Sequence, residues 1–123
     1  MKKLIFLDDE RVVEDVTWLN YNQLFSSITI LRTYDEFKDW CDSLCHLSVD
    51  LKDYVFSFDH DLACFDNTHN EYTGYHAAKY LCDTIVDMSL EPNDLTWYVH
   101  SMNPIGKENI NCYIENFIKF MRS

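Results

Sequence analysis

Apolar residues fall along the chain as short continuous runs and as longer stripes at helical spacing. LIFL at 4–7 reads as a central strand buried on both faces. SITILR at 27–32, YVFSF at 54–58 and LTWYVH at 95–100 are the other strand candidates. The stretch TYDEFKDWCDSLCHL predicts a helix. Thr33 and Glu36 make a capping box, and Phe37, Trp40, Cys41, Leu44 and Cys45 recur on one face. A second helix is expected over GYHAAKYLCDTIVDM, through Ala78, Leu81, Cys82, Ile85 and Met88, and a last one through Ile110, Tyr113, Ile114, Phe117 and Met121. Residues 13–25 carry a weaker helical pattern through Val13, Val16 and Leu24. A polar loop is expected from Asp66 to Thr73, and a turn at Pro92 and Asn93.

The order is then strand–helix four times over, which calls for a parallel sheet with helices on its faces and right-handed crossovers. The 123 residues suit a single domain, 1–123, with no internal repeat, low-complexity tract or linker.

Composition narrows the partners. Apolar residues make up 47% of the chain, and 8 Phe, 8 Tyr and 3 Trp are enough to build a core. Asp and Glu number 21 against 10 Lys and Arg, a formal charge of −11. That argues against an extended nucleic-acid groove and against an anionic membrane surface, both of which need dense positive charge. A small phosphate held by a metal or a local cation remains open, and a monomer or small homo-oligomer is expected. Five cysteines form no short disulfide framework, which fits reduced thiols in the cytoplasm. Cys41, Cys45 and His46 invite a zinc reading, but the two cysteines also fit the core stripe beside Phe37 and Trp40. The start MKKLIFLDDE is too short in apolar residues for a signal peptide, and no segment approaches a membrane span.

Chemistry collects where strands end. In a parallel sheet every strand delivers its C-terminal end to one edge, where ligands bind. Strand one ends in Asp8, Asp9, Glu10 and Arg11, strand three in Asp59, His60 and Asp61, and strand four in His100, Ser101 and Asn103. Asp8 or Asp9 alone also fits a simple cap at a helix start. Carboxylates at adjacent strand ends, however, repel each other unless a cation or proton compensates. Hard oxygen ligands suit Mg²⁺ or Mn²⁺, so Asp8, Asp9, Asp59 and Asp61 are the candidate metal ligands. If strand three persists that far, alternation gives Asp59 and Asp61 a shared direction and turns His60 aside. His60 and His100 are candidates for proton transfer, with Asp59 beside them. The run NPIGKEN opens the last helix, and a helix N-terminus favours an anion. Ser101, Asn103, Gly106 and Lys107 are therefore candidate phosphate contacts, with Thr73 at the rim. Arg11 either pairs with Asp9 or Glu10 or grips a phosphate through two parallel bonds.

Four motifs carry a resemblance: IFLDDER at 5–11, SFDHDL at 57–62, TGYHAAKYL at 73–81 and HSMNPIGKENI at 100–110. Together they resemble the cyclic-phosphate-processing receiver-like domains, divergent relatives of response-regulator receivers. Val13 and Ala63 stand where that pattern has Pro and Gly. The resemblance implies a compact three-layer α/β fold of flavodoxin-like type. Its sheet is four-stranded and mainly parallel, in order about 2-1-3-4, without the receivers' fifth strand. It also implies a metal-dependent phosphoesterase acting on a small cyclic phosphate or cyclic nucleotide. A non-enzymatic protein sequestering a cyclic nucleotide or a partner, and a signalling receiver phosphorylated on Asp59, are the alternatives. A phage or mobile-element origin would suit so compact a form.

Overall fold

The computed structural model describes the chain apart from residues 22, 63, 66–70 and 123. Its strands are β1 (Lys2–Leu7), β2 (Phe25–Leu31), β3 (Tyr54–Phe58), the two-residue β4 (Cys64–Phe65) and β5 (Glu71–Tyr72), and β6 (Trp97–Val99). Its helices are α1 (Tyr34–Ser43), α2 (Gly74–Asp87) and α3 (Pro104–Arg122). Four strands form one all-parallel sheet in the order β2-β1-β3-β6, the 2-1-3-4 arrangement of a receiver-like α/β fold. Among the described residues no fifth strand joins it. β4 and β5 pair antiparallel as a separate two-stranded sheet. Residues 66–70 of the expected 66–73 loop and Ala63 lie outside the described residues, and Glu71 and Tyr72 of that loop form β5 instead. None of the described helices is long and apolar enough to cross a membrane.

Alternation along the strands sorts side chains onto two faces. Ile5, Leu7, Phe56, Phe58 and Val99 pack with Phe37 of α1, Leu81 and Ile85 of α2, and Ile110 and Ile114 of α3. Leu4, Phe6 and Val55 point the other way and meet Val16, with Leu19, Phe25, Ile30 and Tyr98 at the margins. There are three layers, but the helices fill only one of them.

The helix expected over 13–25 does not form. A three-residue helical turn, Val13–Asp15, is followed by irregular chain, and β2 begins at Phe25 rather than at 27. Val12, Val13, Val16 and Thr17 are β-branched and lose rotamer freedom in a helix. An open path lets Val16 and Tyr21 both be buried, at 6% and 8% exposure. The second face is thus covered by a strap, not by a helix.

α1 also stops before its stripe ends. Cys45 is exposed in the turn Leu44–His46, its thiol donating to the Asp42 carbonyl, so it is not a core residue. Cys41 is buried, and burial pushes its thiol up to about 12. Among the described residues, no group with metal-ligand geometry includes Cys41, Cys45 or His46. At the far end of α3, Met121 is exposed rather than buried.

Candidate functional site

Each strand ladder runs one bond past its strand, and those bonds set the site residues level. The Asp8 amide donates to Leu31, the Asp59 amide to Leu7 and the His100 amide to Phe58, at 3.1, 2.9 and 3.0 Å. The three residues that follow β1, β3 and β6 therefore stand side by side at one edge. A cavity of about 240 Å³ opens there. Its walls are Asp8, Asp9, Glu10 and Arg11 from the first strand end, Asp59 and Asp61 from the third, and Ser101, Met102 and Asn103 from the fourth.

Asp8 is fully buried. Its Oδ1 accepts the amides of Glu10 and Arg11 at 2.9 and 2.8 Å, closing a tight turn after β1 with no helix behind it. Its Oδ2 lies 3.0 Å from His100 Nε2 and 3.3 Å from Arg11 Nη1. Burial pushes the carboxyl up, but the two amides and His100 outweigh it and hold Asp8 below its ordinary value.

His100 is as deeply buried as Asp8, its ring stacked on Phe6 at 4.4 Å. Facing a carboxylate, Nε2 carries the proton, which leaves Nδ1 as an acceptor. Nδ1 lies 2.7 Å from Ser57 Oγ, and Ser57 Oγ lies 2.7 Å from the Tyr21 hydroxyl. Protons thus point from Tyr21 through Ser57 to His100, and from His100 to Asp8. Burial drives His100 down to about 4, so the ring is neutral at pH 7. Sequence reading missed Ser57 and Tyr21. The available signal was a lone hydroxyl within an otherwise apolar strand, VFSF.

Asp59 is 5% exposed. Its Oδ1 accepts the His60 amide at 2.9 Å, and its Oδ2 lies 3.8 Å from Arg11 Nη1. Burial first, then the neighbouring Asp8 charge, push it up to about 6, against the His60 amide, Arg11 and the Ser101 hydroxyl. Asp9 is raised by burial and by Asp8 and Glu10. Asp8, Asp9 and Asp59 each present an oxygen, all within 4.8 Å of one another. Three hard donors around a strained carboxylate fit a divalent cation such as Mg²⁺ or Mn²⁺. Asp61 is outside that group. It lines the cavity and is tied to His60 Nδ1 at 2.9 Å and Asn103 Nδ2 at 3.4 Å.

The cavity gathers seven of the sequence-predicted residues: Asp8, Asp9, Arg11, Asp59, Asp61, Ser101 and Asn103. His60, His100, Thr73, Gly106 and Lys107 do not line it. Thr73 caps α2, accepting the Tyr75 amide at 3.2 Å. Lys107 is exposed on α3. Gly106 takes its amide to Asn103 Oδ1 at 3.0 Å and lies against the His60 ring. The close approach expected for a phosphate at Gly106 is made by that imidazole instead.

No curated protein and no solved structure was found to match the chain. One family model does match, described as a cyclic-phosphate processing receiver domain, and it spans residues 3–116, which takes in the four-stranded sheet except Lys2 and every cavity residue. The chain, by its motifs, its strand order and this match, belongs to the cyclic-phosphate processing receiver domain family.

Proposed function

We propose that the protein is a metal-dependent phosphoesterase that opens a small cyclic phosphate, such as a cyclic nucleotide. The observation that carries this reading is the convergence of Asp8, Asp9 and Asp59 within 4.8 Å, in a cavity shared with Arg11, Ser101 and Asn103. A bound divalent cation supplies neutralisation of charge on the phosphoryl oxygens. Arg11 offers N–H donors to the same oxygens, and the Ser101 hydroxyl and Asn103 amide orient the ester.

The chemistry balances with one water. Water adds to phosphorus, the ring P–O bond breaks, and the departing oxygen takes a proton, giving a ring-opened monoester. Asp59, a carboxylate on the cavity wall beside the proposed cation, suits receiving the proton of the water. His60, off the cavity wall and bonded to Asp61 Oδ1, suits orienting Asp61, and the leaving oxygen takes its proton from solvent. His100 is neutral and bonded at both nitrogens, which favours a role in holding Asp8 over one in proton exchange.

Purified protein with Mg²⁺ or Mn²⁺ and a 2′,3′-cyclic nucleotide or ADP-ribose cyclic phosphate, followed by ³¹P NMR, tests this reading. The expected result is conversion to a monoester, slowed by about 100-fold or more in Asp59→Asn. No conversion with either metal, or undiminished conversion in Asp59→Asn, overturns it, and tight binding without conversion favours a sequestering protein. A signalling receiver is the second reading, drawing on the Ser101 hydroxyl beside Asp59. A stable acyl phosphate formed from acetyl phosphate, and lost in Asp59→Asn, would favour it.

A further inference from the structure

Trp18 lies on the strap that covers the second face of the sheet. Val16 and Tyr21, its neighbours on that strap, are buried, but Trp18 stays 45% exposed. Single exposed apolar residues are ordinary on protein surfaces. This one is anchored. Its Nε1 donates to the His100 carbonyl at 2.9 Å, which pins the indole to the end of β6 where Ser101, Met102 and Asn103 begin the cavity wall. The Arg11 guanidinium, also a cavity residue, lies 5.2 Å from the centre of the indole ring. Met102, on the same wall, is 69% exposed. The indole thus meets the cavity through Arg11 and the His100 carbonyl, and a flexible thioether stands on a wall that is otherwise polar or charged.

We infer that Trp18 and Met102 form a platform for a planar aromatic base, so that the ligand of the cavity is a nucleoside phosphate; this rests on the phosphate reading given above. Arg11 joins the two parts, with Nη1 3.3 Å from Asp8 Oδ2 and its guanidinium against the indole. Base–aromatic stacking tolerates any base, because every base has a π-face. Such a platform demands a base without choosing among bases. Thioethers adapt to flat partners in the same way.

Isothermal titration in Mn²⁺ buffer separates the possibilities, using adenosine 3′-monophosphate, which has no ring to open, against inorganic phosphate. Wild-type protein is expected to bind the nucleotide more tightly than phosphate by about 10- to 100-fold. Trp18→Leu is expected to erase that preference and leave phosphate affinity unchanged, with Trp18→Phe restoring part of it. Met102→Ala, at an exposed position, should reduce the preference without affecting folding. Equal affinity for the two probes in the wild type, or a preference that survives Trp18→Leu, overturns the platform alone. Parallel loss of both ligands in Trp18→Leu also overturns it, because the indole would then act only through Arg11. Failure of the wild type to bind either probe overturns the phosphate reading and the platform together.

Discussion

Asp59 and His100 are both buried at the same sheet edge, and burial acts on them in opposite senses, because each loses its charged form. Asp59 in the folded protein titrates at about 6, above its ordinary 3.8. Its contribution to stability is full below about pH 3.8 and is lost as pH rises through about 6. His100 titrates at about 4, below its ordinary 6.5, so its contribution is full above pH 6.5 and is lost as pH falls through about 4. In the window between, the two oppose each other. Asp59→Asn removes the first and leaves the second. In chelator, the variant should exceed wild type in urea melts at pH 7.5, by up to about 3 kcal/mol. That advantage should vanish by pH 4, and the variant should lose stability in acid more steeply than wild type. An Asn variant no more stable than wild type at pH 7.5 would refute the view of Asp59 as a strained carboxylate.

The chain has only two glycines, and both stand where a helix begins against the corner at Asp59 and His60. At Gly74 the first turn of α2 comes so close that an added Cβ would sit 1.8 Å from the Asp59 carbonyl oxygen and 3.2 Å from His60 Cα. The obstruction is backbone, and the Gly74 amide is committed to the His60 carbonyl at 2.8 Å. At Gly106 the obstruction is the His60 ring, 2.3 Å from the added atom. A ring can turn, and alanine recovers up to about 1 kcal/mol of helix propensity. Gly74→Ala should therefore destabilise by about 3 kcal/mol or more, and Gly106→Ala by clearly less. Gly106→Ala should still displace the His60 ring resonances in an NMR spectrum. Equal losses of stability in thermal melts would contradict the assignment of one contact to backbone and the other to side chain.

The whole molecule carries a formal charge of −11, and part of that charge is concentrated in one cavity. Added KCl screens the general repulsion and should raise the melting temperature of wild type and Asp59→Asn alike. Mg²⁺ at matched ionic strength should raise it further in wild type only, since a ligand bound at 100 times its Kd adds about 2.7 kcal/mol. A Mg²⁺ increment of equal size in Asp59→Asn would mean that the ion acts by screening and not at the three carboxylates. The layering shapes this site too. With α1, α2 and α3 on one face, the other face is left to the strap, which carries Tyr21 to Ser57 and Trp18 to the cavity rim.

Local pattern was enough to mark the four strands, the three helices and the common edge at which Asp8, Asp59 and Ser101 meet. Buried strands and amphipathic helices write their period directly into neighbouring residues, and a parallel sheet aligns its strand ends whatever else it does. Pattern failed over 13–25, where a few apolar residues at helical spacing served an open strap, because burial against Leu4, Phe6 and Val55 outweighed a weak local preference. It failed again in giving His60 and His100 the same role. Nothing near His100 in the sequence foretells that Ser57, 43 residues earlier, and Asp8, 92 residues earlier, take both of its nitrogens. Nor does NPIGKEN foretell that the His60 ring fills the space at Gly106. Which polar groups converge was legible from strand ends. Which of them are spent on each other, and which face the cavity, depends on contacts between residues far apart in the chain, and these exist only once the sheet has assembled.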